Sequence, residues 1–208
     1  MNVVLFGATG MIGSRVLSEL LSRGHKVTAV VRNTSKVPNE PGVKAVKGDL
    51  LNTAAVAEIM KGADAVISAY SPGPNATAIV DATKSLISGL KQAGVKRLIE
   101  VGGAGSLFVA PNVRLVDAPD FPAEWKPIAL AHGEALEVLR KSDLDWTYFS
   151  PAAFVQPGER TGKFRLGKVT LLTDEKGNSR ISAEDYAIAL VDELENPKHI
   201  RQRFTIAY

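Results

Sequence analysis

Cysteine is absent from all 208 residues of the chain. That excludes disulfides, thiol nucleophiles, iron–sulfur clusters and Cys-ligated zinc. It fits a reducing compartment. Histidine is scarce: His25, His132 and His199 lie far apart, with no HxxxH or HExxH spacing. No metal is therefore expected. His25 and His199 sit in charged, loop-like sequence and read as surface residues. No apolar run approaches the roughly 18 residues needed to span a membrane. The opening MNVVLFGATG has neither a basic n-region nor a cleavage pattern, so no signal peptide is expected and the expected location is cytoplasmic. No charge dominates: 25 Lys and Arg face 22 Asp and Glu. That balance gives no reason to expect nucleic acid as a partner. Low-complexity stretches and repeats are missing too. A small molecule is the expected partner of a monomer or homodimer.

What is present is an alternation. Asn2–Phe6, Lys26–Val31, Val43–Val46, Ala63–Ala69, Arg97–Val101 and Trp146–Phe149 read as strands. Apolar residues recur at helical spacing between them: Ile12, Val16, Leu17 and Leu20, then Ile79, Thr83, Leu86 and Leu90, then Ile128, Ala131, Ala135 and Leu139. Gly24 and Gly94 stand where helices end on a left-handed residue. Thr53 is placed to N-cap a helix running to about Lys61. Ser182-Ala183-Glu184-Asp185 reads as a capping box ahead of a helix carrying Tyr186, Leu190 and Leu194. Arg203–Ile206 reads as a final strand. The expected fold is α/β: a Rossmann-type, doubly wound, mostly parallel sheet with helices on both faces, built by residues 1–208 as one domain. Two Gly- and Pro-rich segments, 102–124 and 150–180, break the alternation. Both follow strands, so they are expected to form the substrate-side loops.

The sharpest motif is Gly7-Ala8-Thr9-Gly10-Met11-Ile12-Gly13, between a strand and an amphipathic helix. One Gly permits the tight turn, another admits a pyrophosphate to the backbone, and the third lets helix and strand pack closely. The helix then offers free N–H groups to phosphate. Gly7, Thr9, Gly10, Met11, Ile12 and Gly13 are thus expected to bind a dinucleotide. At the end of the second strand stands Arg32, in Val31-Arg32-Asn33-Thr34-Ser35-Lys36, where an NAD site would carry an acid. Arg can hold a 2′-phosphate bidentately. NADP is therefore preferred over NAD, with Arg32, Asn33 and Lys36 near that phosphate. Asp49 is placed to accept from the adenine amino group, with Leu50 against the ring. Ala69 and Tyr70, after the fourth strand, either line the crevice or pack beneath it. Gly102 and Gly103 lack bulk where a ring would approach the sheet. Pro151, Ala152 and Phe154 follow the sixth strand, where backbone groups meet a nicotinamide.

These residues resemble the atypical branch of the short-chain dehydrogenase/reductase superfamily. The resemblance rests on GATGMIG, VRNTSK, KGDL, LDWTYFSP and SAEDYA, and covers nearly the whole chain. Within that branch the chain is most similar to small bacterial proteins provisionally grouped as NADH-flavin reductases. Their relatives are biliverdin-IX-beta/flavin reductase and the NmrA-like proteins. Ser150-Pro151-Ala152-Ala153-Phe154, Pro157-Gly158 and Thr161-Gly162 narrow the match. The chain departs from the superfamily in having no YxxxK pair. Ile128 and His132 stand where the Tyr and Lys would be, and Ser106 is the nearest hydroxyl to the usual Ser. Reduction of a carbonyl needs a proton for the developing alkoxide. Hydride transfer to a flavin asks mainly for two stacked rings. His132 and Ser106 are therefore the candidate catalytic side chains, His132 weighing more as a satisfied core histidine. The resemblance implies an NAD(P)H-dependent reductase that takes a flavin as a released substrate rather than a prosthetic group. The alternative is a non-catalytic NADP sensor of the NmrA-like type.

Overall fold

Asn2–Phe6 forms the first strand, and its last four residues are buried. A strand that is apolar on both faces has to be covered on both, and the order of the sheet provides for this. In the computed structural model, which describes residues 1–73 and 75–208, twelve strands and five helices follow one another. They are β1 (Asn2–Phe6), α1 (Met11–Ser22), β2 (Lys26–Val31), β3 (Val43–Lys47), α2 (Thr53–Met60), β4 (Ala65–Ser68), α3 (Ala78–Ala93) and β5 (Arg97–Val101). A hairpin of β6 (Phe108–Ala110) and β7 (Val113–Arg114) precedes α4 (Lys126–Arg140) and β8 (Asp145–Ser150). The chain ends with β9 (Phe154–Gln156), β10 (Arg165–Gly167), β11 (Arg180–Ser182), α5 (Ala183–Glu195) and β12 (Gln202–Ala207).

Eight strands form one sheet in the order β10-β12-β8-β5-β4-β1-β2-β3. Every pairing in it is parallel except β10 with β12. The chain runs outward from β1 through β2 to β3, then crosses back to β4 on the other side of β1. That reversal is the switch point at which doubly wound sheets open a crevice above their carboxyl ends. Helices α1 and α5 cover one face, where Val16, Leu17 and Leu20 meet Tyr186, Leu190 and Leu194 over Leu5 and Ile67. Helices α2, α3 and α4 cover the other, with Val56, Met60, Leu86, Leu90, Leu136 and Leu139 over Phe6, Val66 and Leu98. The expected fold class is thus what the chain adopts.

Several local readings need correction. Asn52, not Thr53, caps α2: its Oδ1 accepts from Ala55 N at 3.3 Å, while Thr53 bonds Ser85 across to α3. His25 is buried, not on the surface. Gly24 (φ 78°) reverses the chain and His25 N donates back to Leu20 O, so residue 25 folds onto the helix end. Its ring contacts the Met1 amino group at 3.3 Å and Glu195 at 2.8 Å. His199 is largely buried as well, stacked on Phe204 with centroids 4.2 Å apart and held by Glu193. Charged sequence neighbours hid both inward turns. The capping box is only half made: Ser182 Oγ accepts from Asp185 N, but the Asp185 carboxylate turns away from Ser182. The two Gly- and Pro-rich segments also hold strands with no sequence signal: β6 and β7 in the first, β9 and β10 in the second, with β11 starting at its end.

Candidate active site

The glycine turn divides its work as backbone sterics require. Gly7 lies at φ 77°, and a Cβ there would come within 2.3 Å of Ala69 O. A Cβ on Gly13 would lie 2.0 Å from Gly7 O, so only glycine lets α1 start this close to β1. Gly10 differs. Its nearest neighbour to a built Cβ is Gly7 O at 3.4 Å, and it faces open space above the turn. Helix α1 has no side-chain cap and no acid in its first turn. The N–H groups of Met11, Ile12 and Gly13 therefore have no intrahelical acceptor, and the positive end of the helix dipole is uncompensated. Such an end suits a pyrophosphate. Met11 is exposed beside it and Ile12 packs into the core.

A cleft of about 540 Å³ opens from this turn across the carboxyl ends of β1, β2 and β4. It brings together Gly7, Thr9, Gly10, Arg32, Asp49, Leu50, Ala69 and Tyr70. Leu50 is buried in its floor. Asp49 spends one carboxylate oxygen on Leu51 N at 3.0 Å and stays exposed. Burial, then the Asp49 charge, raises the Tyr70 phenol above its usual value, so it remains a neutral donor. Asn33 and Lys36 lie outside the cleft wall. Asn33 Oδ1 accepts from Ser35 N at 3.1 Å and caps the short turn that carries Lys36. That turn fixes the backbone just after Arg32. The residues present fit an NAD(P) dinucleotide: free N–H groups suited to a pyrophosphate, an exposed guanidinium on the cleft wall and an apolar floor.

A second cavity, about 460 Å³, lies further along the same rim, after β5 and β8. Its wall includes Gly103, Trp125, Ile128, His132, Ala153 and Phe154. Trp125 and Phe154 meet edge to face, with centroids 6.2 Å apart, and both are exposed. Helix α4 approaches closely because the loop after β5 presents Gly103 and Gly105 to it. A Cβ on Gly103 would sit 2.9 Å from His132 Cβ, and one on Gly105 would sit 2.7 Å from Ala129 Cβ. Burial pulls the His132 imidazole down to about 4, so it is neutral at physiological pH. Its neighbour Tyr148 is fully buried in β8. The Tyr148 hydroxyl donates to His132 O at 2.8 Å.

The remaining candidates fall elsewhere. Gly102 lies beneath Tyr148, where a Cβ would be 2.1 Å from the ring, so its lack of bulk serves the core rather than a ligand. Ser106 faces away from this cavity and accepts from Arg203 at 2.9 Å, tying the 102–124 segment to β12. Pro151 and Ala152 are buried beneath the rim, and Phe154 is the member of that tract that reaches the cavity. Sequence reading missed Trp125, Phe121 and Leu115 as wall residues. Their only signal was an aromatic- and Pro-rich stretch where the alternation failed.

The wall containing Phe154 is fastened to α5. Asp185 accepts from Thr161 N, Gly162 N and Thr161 Oγ1 at 2.6–2.8 Å, and from Tyr208 Oη at 2.8 Å. Burial opposes its ionisation, but those hydrogen bonds prevail and hold its pKa below the usual carboxylate value. Glu184 accepts from Gly158 N and pairs with Arg15 of α1.

Fold and groove together define a dinucleotide-binding protein of the Rossmann type. The NAD(P)H-binding family model matches residues 7–197, and the chain belongs to this family of NAD(P)-binding oxidoreductases. It is similar over its full length to three bacterial proteins of known structure. One, from Burkholderia pseudomallei, is 51% identical with a TM-score of 0.93, and all of that chain is covered. One from Bacteroides thetaiotaomicron is 48% identical with a TM-score of 0.94 and 96% of its chain covered. One from Streptococcus pneumoniae is 37% identical with a TM-score of 0.89 and 99% covered. Their provisional descriptions differ: an exported protein, an epimerase and an NADH-flavin reductase, respectively. No helix among the described residues is long and apolar enough to cross a membrane.

Proposed function

We propose that this chain is an NADP(H)-dependent reductase of a flat, diffusible acceptor, a flavin first and a quinone-like ring second. One observation carries the reading. An aromatic-walled cavity without a Tyr–Lys acid lies on the same rim as an uncapped, glycine-framed helix N-terminus. NADPH, when bound, supplies a hydride, and transfer to a flavin is chemistry of the two rings. The chain's own residues have three tasks. The turn from Gly7 to Gly13 and Arg32 hold the dinucleotide. The segments 102–124 and 150–180 wall the acceptor, with Trp125 and Phe154 as stacking surfaces. Neutral His132 makes a hydrogen bond and supplies no charge.

The test is NADPH oxidation, followed at 340 nm, with riboflavin, FMN and menadione. Turnover with a flavin is expected. A second reading, a non-catalytic NADP-binding regulator of the NmrA-like type, draws on the same lack of an acid–base pair. No turnover with any acceptor, while NADP still raises the melting temperature, would select it.

A further inference from the structure

His132 has two ring nitrogens in unlike surroundings. Nδ1 lies 3.3 Å from Tyr148 Oη. Nε2 makes no hydrogen bond within the described residues. His132 is partly exposed, and it lines the aromatic cavity. A neutral imidazole carries one proton, and its other nitrogen is an acceptor. Which nitrogen holds the proton is set by the partner of the buried one.

Tyr148 settles that partner. A phenol has one hydrogen to give, and here it goes to His132 O at 2.8 Å. The phenolic oxygen then has only lone pairs left for its other neighbours. Gly103 N–H already points at it, at 3.4 Å. Nδ1 can approach that oxygen favourably only as a donor. From this we infer that Tyr148 locks His132 with its proton on Nδ1, so that Nε2 presents a bare lone pair to the acceptor cavity and selects ligands bearing an N–H or O–H donor at the ring edge. Gly103 makes room for this orientation, since any side chain there would strike the imidazole.

The inference rests on the reductase reading for its ligand class and sharpens it. An isoalloxazine carries an imide N–H at N3, flanked by two carbonyls, whereas a simple quinone offers only acceptors. The cavity thus favours imide-bearing rings over quinones of similar size. His132 acts here as a specificity residue that accepts a hydrogen bond, and Tyr148 as a positioning residue behind it.

Two measurements on the full chain with saturating NADP⁺ test this. Multiple-bond ¹H–¹⁵N NMR at pH 7 reads the tautomer directly and needs no turnover. Protonated Nδ1 with a pyridine-like Nε2 is expected, and the opposite pattern overturns the inference. Fluorescence quenching then compares lumiflavin with 3-methyllumiflavin, which lacks the N–H. Methylation is expected to weaken binding about tenfold, the scale of one hydrogen bond to a desolvated acceptor. Equal binding, or binding of neither, overturns the recognition. His132→Leu should erase the methyl discrimination. Tyr148→Phe keeps the buried ring but frees Nδ1, so it should mix the tautomers and reduce the discrimination. An unchanged tautomer in Tyr148→Phe would remove Tyr148 from the account. Failure of the parent reading shows separately, as absent NADPH oxidation despite flavin binding.

Discussion

Arg32 is exposed on the wall of the cleft above the glycine turn, where the proposed function has it meet the 2′-phosphate of NADP. Replacing it with Asp removes a bidentate cation and adds repulsion. We expect Arg32→Asp to weaken NADPH by roughly 30-fold or more, since hydrogen bonds to charged groups contribute about 1.5–3 kcal/mol. NADH should change little, and dissociation constants for the two cofactors check this. Equal weakening would mean Arg32 does not read the phosphate. His132 permits a second prediction. Burial pulls its imidazolium pKa down to about 4, so it is not a charged general acid in the neutral range. In His132→Ala, kcat for flavin reduction should stay within about threefold while KM rises. A fall in kcat of ~10²-fold or more, the scale of a lost general acid, would contradict that. At this scale the glycine turn was legible because its requirements are local. Positive φ and close backbone approach leave glycine no substitute. His25 was misread because its charged neighbours suggest exposure, although the reversal at Gly24 that turns it inward was itself legible.

At the level of elements, the alternation of strand and helix could be read because apolar periodicity reports burial directly. The acceptor wall could not. Its strands have two or three residues, too few to show a period, and β9 pairs with β11 26 positions away. The acids at the start of α5 show the same limit. In sequence they resemble a cap, yet the partners of Asp185 lie 23 or 24 residues earlier and at the chain's far end, at Tyr208. Asp185→Asn exchanges one acceptor oxygen for a donor facing N–H groups. We expect it to cost about 2–3 kcal/mol, read as a lower urea midpoint. Proteolysis should then begin within 150–180, while NADP binding is retained. Early cleavage elsewhere would show that α5 does not hold this wall.

For the whole molecule, the telling group is Glu100, buried in β5 between α3 and Tyr148. One oxygen accepts from Thr83 at 2.6 Å and the other has no partner among the described residues. Burial raises its pKa to about 7 from an ordinary 4.5. The folded state therefore binds this proton more tightly than the unfolded chain does. The associated stability is fully present below pH 4.5 and is lost as pH rises through about 7. The loss amounts to about 3 kcal/mol by linkage, of which relaxation of the site will recover part. Glu100→Gln keeps the Thr83 contact without the charge. Its unfolding free energy should exceed that of the wild type at pH 8 and show a flatter decline between pH 5 and 8. A parallel decline in both proteins would mean that other groups set the slope.

The attachment of the acceptor wall has a consequence for how this protein can change. The glycine-framed groove is built from the sheet and α1, and its glycines are fixed by backbone atoms of Ala69, after β4, and of Gly7 in the turn itself. The wall is tied to α5 and β12 by Asp185, Glu184 and Arg203, and to the outer side of α1 by Arg15 with Glu184 and Arg160 with Glu19. Substitutions that reshape Trp125, Phe121 or Phe154 leave every contact of the groove in place. The wall can therefore vary one loop at a time while the groove stays unchanged. A common scaffold can serve different chemistries in this way while its nucleotide half stays recognisable.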